Sequence, residues 1–346
     1  MILLPRVLSS PLALALFAVS ASSSYAAVFN VNESGEWSDP TVWPGATIPA
    51  PFDEVWMNKP DKTLTIPSDY TAEIDKLIVG RHALNTNVNV NGGTLLVGSG
   101  DNDVLFVGQY DDAEGTFSLN SGRVEVQGEL AVAVSGKGTW IQNGGSVYVR
   151  DRFVIGRYER GEAVGSVILR GGSIVADRFD MNTQSKLKLE GGIVALNGNH
   201  LSKVQGHIDA GRIVGSNGWP SPTVFYDTDA GRTYTYSKTT TLFTNYFGTN
   251  SWFQPSPWQP NDVPGPGSEI WMNSPATEAT IGWNEVATAN KLIVGRHVGP
   301  VVLTIEDSAE LLVGDGASTR AILFLGQYSN AHGSIIQNGG RIKVHG

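Results

Sequence analysis

The sequence predicts an all-β protein, a parallel β-helix of the pectin-lyase-like β-solenoid type, built as two duplicated units. Three observations carry this. First, a long segment occurs twice: Trp37 to Gly128 returns as Trp252 to Gly346, at a constant offset of 215 from Trp37/Trp252 to His82/His297. The offset grows to 216 at Leu95/Leu311 and 218 at Gly108/Gly326, as small insertions in turns would produce. Second, glycine-centred corners recur at Asn91-Gly92-Gly93, Asn120-Ser121-Gly122, Asn143-Gly144-Gly145, Arg170-Gly171-Gly172 and Glu190-Gly191-Gly192, the last four spaced by 23, 27 and 20 residues. Third, short runs of alternating apolar and polar residues lie between the corners, the pattern of strands with one buried face.

Composition agrees. Glycine is 41 of 346 residues, about 12% against a usual level of roughly 7%. With 41% hydrophobic and 16% charged residues the chain is not globally disordered. It has no cysteine, which excludes disulfides, zinc–thiolate sites, iron–sulfur clusters and thiol nucleophiles. A formal net charge of −9 does not suit a non-specific nucleic-acid binder.

Residues 1–26 have the form of a secretory signal peptide: Arg6 in front, an apolar core over 12–19, and a small-x-small cleavage site at Ser24-Tyr25-Ala26. That core is too short to span a bilayer, and no other segment qualifies, so the chain is not expected to be transmembrane. An exported chain without cysteine points to a bacterial exterior, where regular backbone pairing must supply stability. Residues 27–200 form the first capped unit, with rungs of about 20–27 residues. Its opening segment, with Trp37, Trp43 and Trp56, reads as a cap whose tryptophans fill core. Residues 201–250 are a junction containing a β-hairpin, Thr223–Tyr226 and Thr233–Tyr236 around the turn at Asp227 to Gly231. Residues 251–346 form the second unit, incomplete at its C-terminal side. No segment has a convincing helical period. A rival topology uses the double-glycine tips as hairpin turns. It pairs Trp140–Gln142 with Val147–Val149, whereas a solenoid pairs residues about 23 apart.

Two sets of side chains are candidates for ligand contact. After a recurrent strand-ending glycine come Arg81-His82, Gln109-Tyr110, Arg157-Tyr158, Arg296-His297 and Gln327-Tyr328. If rungs register, these form a stripe of planar groups beside Arg and Gln donors, able to hold a sugar chain or simply to pack. The second set is Asp151-Arg152 and Asp177-Arg178, at comparable places on successive rungs. They form either a charged groove for an anionic glycan or calcium, or a surface ion-pair ladder. Of the carboxylates aligned at the constant offset, Glu54/Glu269 is the pair present in both copies, so the duplicated unit reads as scaffold and no catalytic residue is assigned. No cofactor is required. Calcium is the one ion with support, at Asp227 and Asp229 or at Asp101 and Asp103, where ordinary turns are the competing reading. His200 and His207 lack a third ligand for a metal.

The line GEWSDPTVW, followed by DEVWMN and KLIVG, resembles the opening of secreted solenoid modules, including the extracellular domain family named for its eight glycines. The following rungs are similar to those of large bacterial surface proteins, the autotransporter passengers and proteins with a PEP-CTERM sorting tail. This resemblance implies an extracellular or cell-surface protein for display, adhesion or polysaccharide contact, without catalysis. The alternative is a carbohydrate-active enzyme, a polysaccharide lyase or glycosidase, or an accessory module of one, with its site in one copy or beyond residue 346. The expected partner in either case is extracellular polysaccharide or cell-surface glycan.

Overall fold

The structure is a computed structural model that describes residues 26–98, 103–157, 163–215, 222–237, 242–245, 249–254, 258–259, 263–297, 299–314 and 321–345. The predicted signal segment before Ala26 lies outside these, as do Tyr158 and Asp101. The described chain is a β-solenoid of about 10 turns, 54% strand and 5% helix. Each full turn contributes to three parallel sheets, here called A, B and C. In the first unit sheet A stacks Val28–Asn30, Glu54–Met57, Lys76–Val79, Val104–Val107, Glu129–Val132, 152–155 and 178–181. Sheet B runs from Gly35–Glu36 to Ile213–Gly215. Sheet C runs from Thr71–Ile74 to Ile193–Asn197.

The glycine spacing is the coil repeat. Trp140 lies in parallel register with Phe117 below and Val167 above, and Val147 with Val124 and Ile174. The double-glycine tips therefore turn the chain onto the next face of the coil, and the hairpin rival fails there. Gly122, Gly145 and Gly172 have φ of +94°, +73° and +81°, a region open to glycine at little cost. Beside them equivalent side chains bond in a column: Asn120 Nδ2 donates to Asn91 Oδ1 (2.7 Å), Asn143 Nδ2 to Asn120 Oδ1 (2.6 Å), and Arg170 Nη1 to Asn143 Oδ1 (3.1 Å). Inside, the alternating apolar residues make columns of their own, including Phe117 on Trp140 with ring centroids 4.3 Å apart. Gln142 occupies one core position, where its Nε2 donates to the carbonyls of Gly145 and Ser173, so its burial leaves the amide satisfied.

Both units begin alike. Trp37 and Trp43 pack edge to face at 5.1 Å with Trp43 Nε1 donating to the Trp37 carbonyl (2.8 Å); Trp252 and Trp258 repeat this at 5.2 Å and 2.9 Å. These four indoles are buried, as a cap requires. The far end of the first core is covered by an α-helix, Leu201–Asp209, a departure from the sequence reading. Leu201, Val204 and Ile208 have its spacing, but nine residues are too few for a persuasive period. Val204 enters the core and Ile208 packs on it.

The second unit does not continue the first along one axis. The hairpin Thr223–Asp227 and Arg232–Tyr236 adds antiparallel to Ile193–Asn197 and extends sheet C. Sheet C of the second unit, Val286–Ala289, Glu310–Val313 and Arg341–Val344, lies over this extended sheet. Val175, Ile193, Ala195, Tyr234 and Tyr236 meet Val286 and Leu312 in a separate buried cluster. Charged groups close the seam: Glu310 accepts from Arg232 (3.0 Å) and Tyr234, and buried Asp227 accepts from Arg341 (2.5 Å) and Lys343 (2.7 Å).

Candidate ligand-binding face

The outer side of sheet A brings the predicted stripe together. On Glu54–Met57 the alternation sends Val55 and Met57 inward and Glu54 and Trp56 outward. After the sheet A strands Lys76–Val79, Val104–Val107 and 152–155 the chain enters a left-handed turn: Gly80, Gly108 and Gly156 have φ of +73°, +74° and +73°. A Cβ at Gly108 would stand 2.2 Å from the Lys137 carbonyl oxygen. The turn carries the next side chain back over the outer face, and the one after it lies along the corner. Arg81 thus sits with its Cζ 3.9 Å from the Trp56 ring centroid and 5.5 Å from that of Tyr110. His82 and Tyr110 stack at 4.1 Å with planes 7° apart. His82 Nδ1 is 3.4 Å from Asp112 Oδ1.

Glu54 accepts from Trp56 Nε1 (2.9 Å) and Lys76 Nζ (3.0 Å), fixing both. Glu54, Trp56, Lys76, Arg81, Phe106 and Gln109 line most of a shallow depression of about 270 Å³. Arg81 Nε and Gln109 Oε1 are buried there without hydrogen-bond partners. The second unit repeats the arrangement on its own sheet A, which stacks Leu242–Asn245, Glu269–Met272, Lys291–Val294 and Ile322–Leu325. Arg296 Cζ is 3.4 Å from the Trp271 centroid and 5.7 Å from that of Tyr328; His297 and Tyr328 stack at 4.5 Å and 3°. Glu269 accepts from Trp271 Nε1 (2.7 Å) and Lys291 Nζ (2.5 Å). Burial acts to raise the Glu269 pKa, but Lys291 and Trp271 outweigh it, so it lies below the usual carboxylate value. Here Arg296 Nε donates to Gln327 Oε1 (3.1 Å), so the two atoms unpartnered in the first copy meet in the second.

Several expectations change in detail. Trp56 and Trp271 are not cap core; they face outward. The stripe is interrupted, because the rung after Tyr110 places Ala133, Val134 and Ser135 where the sequence reading saw no box. Ala133 takes the glycine position at φ +67°, and Val134 covers Ile78, Phe106, Ala131 and Val154. Arg157 lies one rung further, with Nε 3.4 Å from Glu129 Oε1 and Cζ 5.6 Å from the Phe106 centroid.

The Asp151-Arg152 and Asp177-Arg178 pairs lie at the opposite edge of the same face. Arg152 and Arg178 are in register, but an irregularity after Val149 displaces Asp151. The charges then pair diagonally rather than stacking like on like. Arg178 bonds Asp151; Arg152 reaches Glu129 (2.7 Å) and Asp180 (3.5 Å); Asp177 accepts from Asn197. Asp227 Oδ1 accepts the amides of Asp229 and Ala230 while its carboxylate holds Arg341 and Lys343, so cations from the second unit occupy the carboxylate considered for calcium. No helix among the described residues is long and apolar enough to cross a membrane. No protein-family model matches the chain, and comparison with curated proteins and with solved structures finds no significant match.

Proposed function

We propose that this chain is an exported, non-catalytic protein of the bacterial cell surface that contacts polysaccharide through the outer side of sheet A, once in each unit. The observation that supports this reading is the repetition of one side-chain cluster on both units. Glu, Trp, Lys, Arg, His and Tyr recur in the same contacts, Glu54-Trp56-Lys76-Arg81-His82-Tyr110 and Glu269-Trp271-Lys291-Arg296-His297-Tyr328. Sugars present C–H faces that stack on aromatic rings and hydroxyls that need donors and acceptors nearby. Tyr110 and Tyr328 are 37% and 48% exposed, which leaves ring surface for such contact beside Arg and Gln donors. A depression of about 270 Å³ is small against ligand pockets of roughly 300–1,000 Å³, and suits contact along a chain better than enclosure. Two such faces on one molecule would strengthen weak contacts by avidity.

The test is a glycan array probed with the exported chain and with a Tyr110→Ala/Tyr328→Ala variant. Saturable retention, weakened at least tenfold in a variant that keeps its melting temperature, is expected. Equal retention by the variant would remove these faces from the reading. Release of new reducing ends or unsaturated products from any glycan would replace it with the enzymatic alternative.

A further inference from the structure

A second pocket lies where the helix Leu201–Asp209 meets the last strands of sheet A in the first unit. It has a volume of about 340 Å³, and its walls include Arg152, Val154, Arg157, Asp180, Lys203 and His207. Nothing in the second unit corresponds to it among the described residues, because the helix and the strands over 152–155 and 178–181 belong to the first unit alone.

Its chemistry is specific. Arg152, Arg157 and Lys203 bring three positive charges; Asp180 in the wall and Glu129 behind it bring two negative ones. Asp180 is held by Lys203 (2.5 Å) and Arg152 (3.5 Å), which keeps its carboxylate fixed as an acceptor. His207 is 7% exposed, packs edge to face on Phe179 at 5.7 Å, and lines the pocket. Burial, with Arg212 and Lys203 nearby, lowers its pKa, which favours the uncharged ring. Its Nδ1 has no hydrogen-bond partner, and Arg152 Nε is also buried without one. Both residues line the pocket, and buried polar atoms left unpaired are destabilising. Val154 and Met181 give the pocket an apolar side.

We infer that this pocket binds a carboxylate-bearing sugar unit, a hexuronate of an acidic polysaccharide. The excess positive charge takes the carboxylate, with Lys203 and the arginines as donors. His207 and the fixed Asp180 take ring hydroxyls, and Val154 and Met181 take a C–H face. A compact inorganic anion fits less well, since it has no hydroxyl to donate to Asp180 and no C–H face for the apolar side. The inference shares with the proposed function only the class of partner. It concerns other residues, so either can fail alone.

The test is titration calorimetry of the intact exported chain with D-glucuronate, with glucose as the neutral control and sulfate as the inorganic arm. Glucuronate is expected to bind at least tenfold more tightly than glucose or sulfate. Lys203→Met, at an exposed helix position, should weaken it at least tenfold, and Tyr110→Ala/Tyr328→Ala should leave it unchanged. His207→Gln should also weaken it, and the imidazole nitrogen shifts of His207 should move on addition of glucuronate. Sulfate binding as tightly as glucuronate, glucuronate affinity unaffected by Lys203→Met, or no glucuronate binding would overturn the inference.

Discussion

The two units carry the same outer cluster in different settings. In the first, Arg81 Nε and Gln109 Oε1 are buried without hydrogen-bond partners; in the second, Arg296 Nε donates to Gln327 Oε1. Even so, the Arg–Trp approach, the His–Tyr stack and the Glu–Lys pair recur. The cluster is set by three neighbouring sheet A strands and the glycine turns that end the second and third of them. The seam has the opposite character: its contacts join the second unit to distant parts of the chain, the first unit and the junction hairpin.

The strongest way to break the local arrangement is Gly108→Val. With φ at +74° and a Cβ 2.2 Å from the Lys137 carbonyl oxygen, it should cost about 3–5 kcal/mol and lower the melting temperature sharply in a thermal scan. Gly265→Ala breaks the seam instead. Its Cβ would stand 2.0 Å from the Gly191 carbonyl oxygen of the first unit. A loss of about 2–3 kcal/mol from docking is expected, seen in calorimetry as separation of one transition into two.

Asp227→Asn probes the same seam through pH. Burial pushes the Asp227 pKa up, but Lys343, Arg341 and the amides of Ala230 and Asp229 more than offset this and hold it at about 2 against an ordinary 3.8. A depressed carboxylate adds stability that is present above the unfolded-state value near 3.8 and lost as pH falls toward about 2. The wild type should therefore exceed Asp227→Asn by about 2 kcal/mol at neutral pH, with the gap closing between about pH 4 and pH 2 in urea denaturation. Ala133→Gly has the smallest effect. Relief of the left-handed alanine at φ +67° opposes the loss of a buried methyl, and the net change should stay within about 1 kcal/mol. A larger loss would mean that this rung depends on its methyl as the others depend on their glycines.

The coil itself was legible because a stacked architecture writes its period into the chain: glycine at each corner, inward apolar residues between. The Arg81-His82 and Gln109-Tyr110 pairs were legible for the same reason. What escaped the sequence reading depended on contacts between distant segments. The rung at Glu129–Val132 is hard to see in the sequence because Ala133 replaces the marker glycine. Trp56 resembles the cap residues Trp37 and Trp43 in sequence, although Glu-Val-Trp-Met alternation places it outside. Two corner glycines lie at the seam: a Cβ at Gly144 would lie 2.9 Å from the Phe253 carbonyl oxygen, and the Gly191 carbonyl oxygen is what a Cβ at Gly265 would meet. Continuous apolar runs at Ile174 to Ala176 and Ile193 to Leu196 carry a further signal. Both of their faces are buried, unlike the alternating Arg123 to Val126.

Whether one ligand face is present twice is decided by calorimetric stoichiometry of the intact chain with an oligosaccharide retained on the array, for the wild type and for Tyr110→Ala and Tyr328→Ala separately. Two equivalent sites are expected in the wild type and one in each variant. Stoichiometry unchanged by either substitution would contradict that expectation.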